Sequence, residues 1–197
     1  MDRVHKPHNL SAILRSCDAV GVLEANAVPP EGGLKVPAAS SAGSAKWVGV
    51  RRHHDAAAAV ATLRGEGFRV IAAHPTSGAR DFRACDFTVP TAFLVGSELR
   101  GVSDAGLALA DDFVLIPMAG MVRSLNVSVA SALLLFEAIR QRQAAWLYEH
   151  SRLSMEHRRD LLFEWGYPRL ARRLRSEGRP YPAMAEDGSV DPASVPR

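Results

Sequence analysis

Residues 116–142 read IPMAGMVRSLNVSVASALLLFEAIRQR, and this stretch restricts the fold more than any other. An apolar strand closes at Ile116 and Pro117, a short glycine-containing loop follows at residues 118–123, and a long apolar helix opens near Ser124. Ser124 and Asn126 are the candidates for its N-cap, because a side-chain oxygen there can accept one of the first free backbone N–H groups. Ala130, Leu133, Leu134 and Ala138 recur at helical spacing and give the helix one core face. Arg140 and Arg142 suit its C-terminal end. A helix that starts directly after a strand and a small-residue loop is a natural site for an anion.

The rest of the chain repeats the alternation. Leu10, Ile13, Leu14, Cys17 and Val20 make one buried helical stripe, with Asn9 or Ser11 as its cap, Gly21 as its stop and Arg15 off the stripe. Strands are expected at residues 23–28, 47–50, 68–73, 91–95 and 113–116. Helices are expected at 55–63, capped by Asp55, and at 103–110, capped by Ser103. Residues 29–45 read as a loop, and 74–86 as a polar connection with a helical turn near 79–83. Alternating strands and helices argue for an α/β domain with a largely parallel sheet and helices on both faces. Helical character continues from 143 to about 177. The Pro-containing, weakly apolar residues 180–197 are expected as a disordered tail. The organisation expected is therefore 1–145 as the main domain, 146–179 as a basic helical extension and 180–197 as tail.

Several classes are excluded or disfavoured. No apolar run approaches the ~18 residues of a membrane span, and no signal peptide is visible. Cys17 and Cys85 have no metal-type spacing, and His5 and His8 lack further ligands at suitable spacing, so no metal is expected. Neither GxGxxG nor GxxxxGK[ST] occurs, which argues against a dinucleotide oxidoreductase or a P-loop NTPase. Residues 140–179 carry ten arginines, no lysine and five acids. That stretch is either a solvated helix face or a surface for phosphates, which the planar guanidinium recognises well. His53 and His54 are expected to face solvent at a strand end. Trp146, Trp165 and Tyr167 are expected to pack the terminal helices rather than stack on bases.

In an α/β sheet, ligands bind at the carboxyl ends of the strands. Here those ends carry Ala73-His74, Gly96-Ser97-Glu98 and Pro117-Met118-Ala119-Gly120. Gly96 permits close approach to the backbone, while Ile116 and Leu125 can flank a flat ring or serve as ordinary core. An adenosine-bearing cofactor held by main-chain atoms suits this arrangement.

Three stretches carry a resemblance. HKPHNLSAILRSCDAVGV at residues 5–22, FLVGSELRGVS at 93–103 and MVRSLNVSVASALLLFE at 121–137 resemble, in order, the three signatures of the SpoU (TrmH-type) 2′-O-ribose methyltransferases of the SPOUT superfamily. The first is most similar to the tRNA branch that methylates a D-loop guanosine. The resemblance implies S-adenosylmethionine as cofactor, tRNA as partner, a deep trefoil knot, a homodimer and a cytoplasmic location. It implies a cofactor pocket of Ala73, Gly96, Ile116, Met118, Gly120, Leu125 and Asn126. It implies catalytic roles for Arg15, Asn9, Glu98, Ser124 and Asn126, and RNA contacts by His8, Arg15, Arg140 and Arg142. Arg15 is described in the family as a base, but a guanidinium keeps its proton in proteins. Holding a phosphate and stabilising a developing alkoxide is the role expected here. Asn9 is expected to orient Arg15 or the ribose, and Glu98 to accept loop N–H groups or pair with an arginine. The same chemistry on ribosomal RNA or an anticodon nucleotide, and an inactive RNA-binding protein of this fold, are the competing expectations. The chain starts almost at the first signature, without the basic helical segment usual in the tRNA branch, and residues 35–45 lack an expected Asn-Glu-Thr pattern. The first of these departures bears on tRNA affinity more than on the cofactor site.

Overall fold

The computed structural model describes residues 1–33 and 46–190, so most of the expected 29–45 loop, the 35–45 pattern and residues 191–197 of the expected tail lie outside the described residues. The chain divides into two compact units, Met1–Tyr148 and Glu149–Arg197.

In the first unit the elements run α1 (Pro7–Ala19), β1 (Glu24–Ala27), β2 (Gly49–Arg52), α2 (Ala56–Gly65), β3 (Arg69–Ala73) and β4 (Arg80–Asp81). They continue through β5 (Thr91–Leu94), α3 (Asp104–Leu109), β6 (Asp112–Leu115) and α4 (Val127–Ala144). This is an α/β fold in which the strand pairings among the described residues are parallel: β1 with β2, and a four-stranded ladder in the order β4-β6-β3-β5. Residues 1–3 join the two ladders. Asp2 N donates to Val95 O (2.8 Å) at the end of β5, and Arg3 N donates to Val28 O (3.0 Å) at the end of β1.

Local chemistry explains most boundaries. Asp55, Ser103 and Asn126 cap α2, α3 and α4, accepting from the N–H groups of Ala58, Gly106 and Ser128. Gly21, with φ of +77°, ends α1 in the left-handed region that glycine enters without a Cβ penalty. The start of α1 differs from expectation. Pro7 opens the helix and Lys6 precedes it without a side-chain cap, so Asn9 and Ser11 lie buried within α1 rather than capping it. Proline suits the first turn, where its missing N–H would have been unpaired anyway. Likewise Ser124 is not the cap of α4; Asn126 is. The two-residue β4 was not expected, and β2 lies two residues later than its pattern suggested.

The stripe Leu10, Ile13, Leu14, Cys17 and Val20 is buried as its spacing predicts. Ile13, Leu14 and Cys17 pack with Val4 and Val48, and half-buried Val127 and Leu135 of α4 close over them. A second core gathers Ile71, Phe82, Phe87, Val114 and Leu134, with Ala73, Phe93, Ile116 and Ala138 against it. Phe87 and Phe93 meet edge to face, with centroids 5.0 Å apart. Each fully buried side chain of this size contributes roughly 1.5–3 kcal/mol. Helix α4 therefore serves both cores, which fixes its N-terminus against α1.

In the second unit, α5 (Met155–Gly166) and α6 (Pro168–Ser176) bury Phe163, Ala171 and Leu174. Residues 180–190, assigned by composition to a disordered tail, instead fold back. Tyr181 stacks on Phe163 at 4.7 Å, Tyr167 stacks on it at 5.4 Å, and Met184 bridges Val190. Tyr167 packs as expected, whereas Trp146 is exposed. Among the described residues, no helix is long and apolar enough to cross a membrane.

Candidate functional site

The three signature stretches meet at one buried amide. Asn9, in the first turn of α1, is only 1 % exposed. Its Nδ2 donates to Glu98 Oε1 at 2.7 Å, and its Oδ1 accepts from Asn126 Nδ2 at 3.0 Å. Asn126 in turn accepts at Oδ1 from the backbone N–H (2.8 Å) and the hydroxyl (2.7 Å) of Ser128. Glu98 also accepts from the backbone N–H groups of His5 (3.3 Å) and Lys6 (3.1 Å), and pairs with the His5 ring at 2.7 Å. Burial pushes the Glu98 carboxyl upward, but the hydrogen bonds from Asn9 and from backbone N–H groups outweigh it and hold the group below its ordinary range. An ionised carboxylate, two amides and a helix N-terminus thus form one continuous chain of donors and acceptors.

The loop bearing Glu98 is closed by its own backbone. Ser97 and Gly101 exchange backbone hydrogen bonds (2.8 and 2.9 Å), and Gly101 has φ of +69°. The turn folds back so closely that a Cβ on Gly96 would lie 1.9 Å from the Gly101 carbonyl carbon. Glycine at 96 is required by this close approach.

The other expected cofactor residues ring the strand ends. Ala73 ends β3, and its side chain and that of Ile116 lie against the second core, so both belong to the wall beneath the strand tips. Met118 and Leu125 are half-buried, and Gly120 and Ser124 are exposed. Among the described residues, the main chain of residues 118–125 makes no hydrogen bond. A run of unbonded main-chain donors in residues 118–125, a close-packed turn at Gly96 and an apolar wall together fit an adenosine-bearing cofactor bound by backbone atoms.

Arg15 stands apart from this cluster. It lies six residues beyond Asn9, about 9 Å along α1, is exposed, and makes no hydrogen bond or ion pair among the described residues. Asn9 spends its amide on Glu98 and Asn126 and does not orient Arg15 within this chain. Instead Arg15 shares a groove of about 490 Å³ with His8, Ser11 and Ser16 of α1 and Ser128 and Val129 of α4. Arg140 and Arg142 lie farther off, at the opposite end of α4. Arg140 pairs with Glu137 at 2.6 Å. Arg142 donates to the carbonyls of Phe87 (3.4 Å) and Thr88 (3.2 Å), which pins the helix end to that loop. Among the described residues, no group of three His, Cys, Asp or Glu side chains is placed to hold a metal.

His5 and Ser128 are site residues that the sequence reading missed. The signal for His5 was the need of Glu98 for N–H donors, which a polar loop just ahead of Asn9 supplies. His53, expected to face solvent, is half-buried with its ring 2.6 Å from Asn26 Oδ1.

Residues 1–136 match the model of the SpoU rRNA Methylase family, and residues 140–192 match that of the SpoU, rRNA methylase, C-terminal region. The chain is 49 % identical over 193 residues to the tRNA (guanosine(18)-2′-O)-methyltransferase of Escherichia coli K12, covering 97 % of this chain and 84 % of the relative. It resembles the crystal structure of the A. aeolicus TrmH/SpoU tRNA modifying enzyme with a TM-score of 0.79 and 39 % identity, covering 85 % of each chain. It also resembles the SpoU methyltransferase AviRb from Streptomyces viridochromogenes in complex with AdoMet, with a TM-score of 0.66, 31 % identity, 73 % of this chain and 59 % of that chain covered.

Proposed function

The chain belongs to the SpoU rRNA Methylase family, and from that premise we propose that it is an S-adenosylmethionine-dependent enzyme that methylates the ribose 2′-oxygen of the D-loop guanosine of tRNA, position 18. The observation that carries the reading is the hydrogen-bonded chain Glu98–Asn9–Asn126, which draws the three signature stretches to one point. S-adenosylmethionine supplies an electrophilic methyl carbon. The residues proposed to hold it are Gly96, Met118, Gly120, Leu125 and Asn126, above the wall formed by Ala73 and Ile116. Ser124 and Asn126 fix the loop edge, and Glu98 and Asn9 keep that edge in register with α1.

Methyl transfer requires an in-line approach and loss of the hydroxyl proton. Arg15 holds the phosphate beside the target ribose and stabilises the developing alkoxide, as positioned cations do elsewhere. A guanidinium stays protonated and cannot accept a further proton, so the hydroxyl proton passes to the substrate phosphate or to water. The exposed, unpaired state of Arg15 supports a homodimer in which it acts beside the site of the second copy. A trefoil knot in the 1–145 body, RNA contacts by His8, Arg140, Arg142 and the basic 146–179 extension, and work in the cytoplasm complete the reading.

The test is transfer of labelled methyl groups to an unmodified tRNA transcript, with the product mapped. One methyl per tRNA on the ribose of guanosine 18 is expected. Transfer to a ribosomal RNA fragment or an anticodon nucleotide instead would replace the substrate, and cofactor binding without transfer to any RNA would overturn the enzymatic reading.

A further inference from the structure

The mouth of the site is cationic and carries bare apolar tips. Residues 3–9, 96–102 and 116–126 contain four Lys or Arg side chains and a single acid, Glu98. That acid is turned inward and spent on Asn9, His5 and Lys6. Two of the cations sit on two different loops of the site. Arg100 lies at the tip of the 97–101 turn, its backbone N–H held by Ser97 Oγ at 3.2 Å. Arg123 lies three residues ahead of Asn126. Both are exposed, and neither guanidinium has a hydrogen bond or ion pair among the described residues. Most arginines elsewhere in this unit are engaged: Arg51 with Glu24 and Glu66, Arg64 with Asp111, Arg80 with Asp112 and Arg83 with Asp81.

Arg100 and Arg123 each follow an exposed apolar side chain. Leu99, directly before Arg100, is 83 % exposed, and Met121 and Val122, directly before Arg123, are 99 % and 63 % exposed. Glu98 and Asn126 both bond to the one amide of Asn9, so the two loops that carry these tips are tied together at their bases. Water offers no reason to project a leucine from a turn that is otherwise tightly bonded. An unstacked nucleotide does, because it presents an apolar base face next to a charged phosphate. Leucine and methionine are side chains that other nucleic-acid-binding proteins wedge against unstacked bases.

We propose that Leu99–Arg100 and Met121–Arg123 form a two-sided clamp for the single-stranded nucleotides flanking the methylated one, with the arginines on phosphates and Leu99 and Met121 on base faces. This rests on the reading of the site given above, and it adds a grip on substrate that is separate from the Glu98–Asn9–Asn126 chain. A ribose in a folded loop must be turned out for its 2′-oxygen to be reached, and a clamp on both sides holds it there.

The test compares the double variants R100A/R123A and L99S/M121S with wild type and with Asn9→Ala. For R100A/R123A, KM for tRNA rises about tenfold, kcat stays within about twofold, and the slope of log binding constant against log salt falls by about 0.7 for each phosphate no longer neutralised. Calorimetric affinity for S-adenosylhomocysteine is unchanged. L99S/M121S raises KM for tRNA with the salt slope intact. Unchanged KM and slope in R100A/R123A overturn the clamp while leaving the site reading in place; full turnover in Asn9→Ala overturns the site reading instead. If L99S/M121S lowers the mass measured by sedimentation and leaves KM alone, these tips meet a second copy and the clamp is wrong.

Discussion

Replacing Asn9 by alanine cuts the chain that joins α1, the Glu98 loop and α4, and its cost can be worked from the geometry. Glu98 loses a hydrogen bond of 2.7 Å from a neutral donor to a carboxylate whose side chain is 8 % exposed. Bonds of that class contribute about 1.5–3 kcal/mol. Asn126 loses a neutral partner at 3.0 Å, worth about 1 kcal/mol. Glu98 keeps His5 and the Lys6 backbone, so the lower end applies, and the total is about 2–3 kcal/mol. For a unit of this size the melting temperature should fall by about 5–10 °C at pH 7. The pH dependence is diagnostic. The Glu98 pKa is depressed in the folded state, so the stability it contributes is present above the usual glutamate value, about 4.3, and is lost as pH falls through the folded value. The gap between wild type and Asn9→Ala should therefore be full at neutral pH and shrink in acid. Asn9→Asp, which sets a second carboxylate against Glu98, should be worse than Asn9→Ala at pH 7 and recover part of its loss in acid. Thermal melts followed by circular dichroism across that range decide the matter. A gap that is absent, or that is the same at every pH, refutes the argument.

Three further outcomes are expected. Arg15→Lys keeps the charge but loses the planar fork, so kcat should drop at least about a hundredfold with an unchanged melting curve, because the Arg15 side chain makes no hydrogen bond or ion pair among the described residues. Gly96→Ala forces a Cβ to within 1.9 Å of the Gly101 carbonyl carbon; the turn must open, at a cost of about 3 kcal/mol, and binding of S-adenosylhomocysteine should be lost in calorimetry. Arg142→Ala removes the tie to the Phe87 and Thr88 carbonyls and should cost about 1–2 kcal/mol, whereas Arg140→Ala should leave the melt unchanged; each variant should still reduce the salt dependence of tRNA binding.

Periodicity made most of this fold legible. The α1 stripe, the caps Asp55 and Ser103 and the order of the main strands all follow from side-chain spacing and local N–H demand. Position 9 was harder. Asparagine near a helix start usually caps it, and only the arrival of Glu98, 89 residues later in the chain, draws this amide inward. Ser124 and Asn126 were equal candidates because the sequence does not reveal where α4 first meets α1. The fold-back of residues 180–190 was hidden by their proline and acid content, since the three residues that anchor it, Tyr181, Met184 and Val190, are too sparse to form a periodic pattern. The place of Arg142 depends on a loop more than fifty residues upstream, which no local pattern encodes.

The chain from Glu98 to α4 has a direction. An ionised carboxylate can only accept, so Asn9 must turn its amino end toward Glu98. Its oxygen then faces Asn126, which must answer with its own amino end. That leaves the Asn126 oxygen free for the Ser128 N–H, and the helix is capped. One negative charge on a loop thereby sets the orientation of two amides and secures the first turn of an 18-residue helix. Glutamine at 98 could still accept from Asn9 through its carbonyl oxygen, but it could equally turn its amino end inward; only the Ser128 N–H at the far end would then hold the direction of the chain.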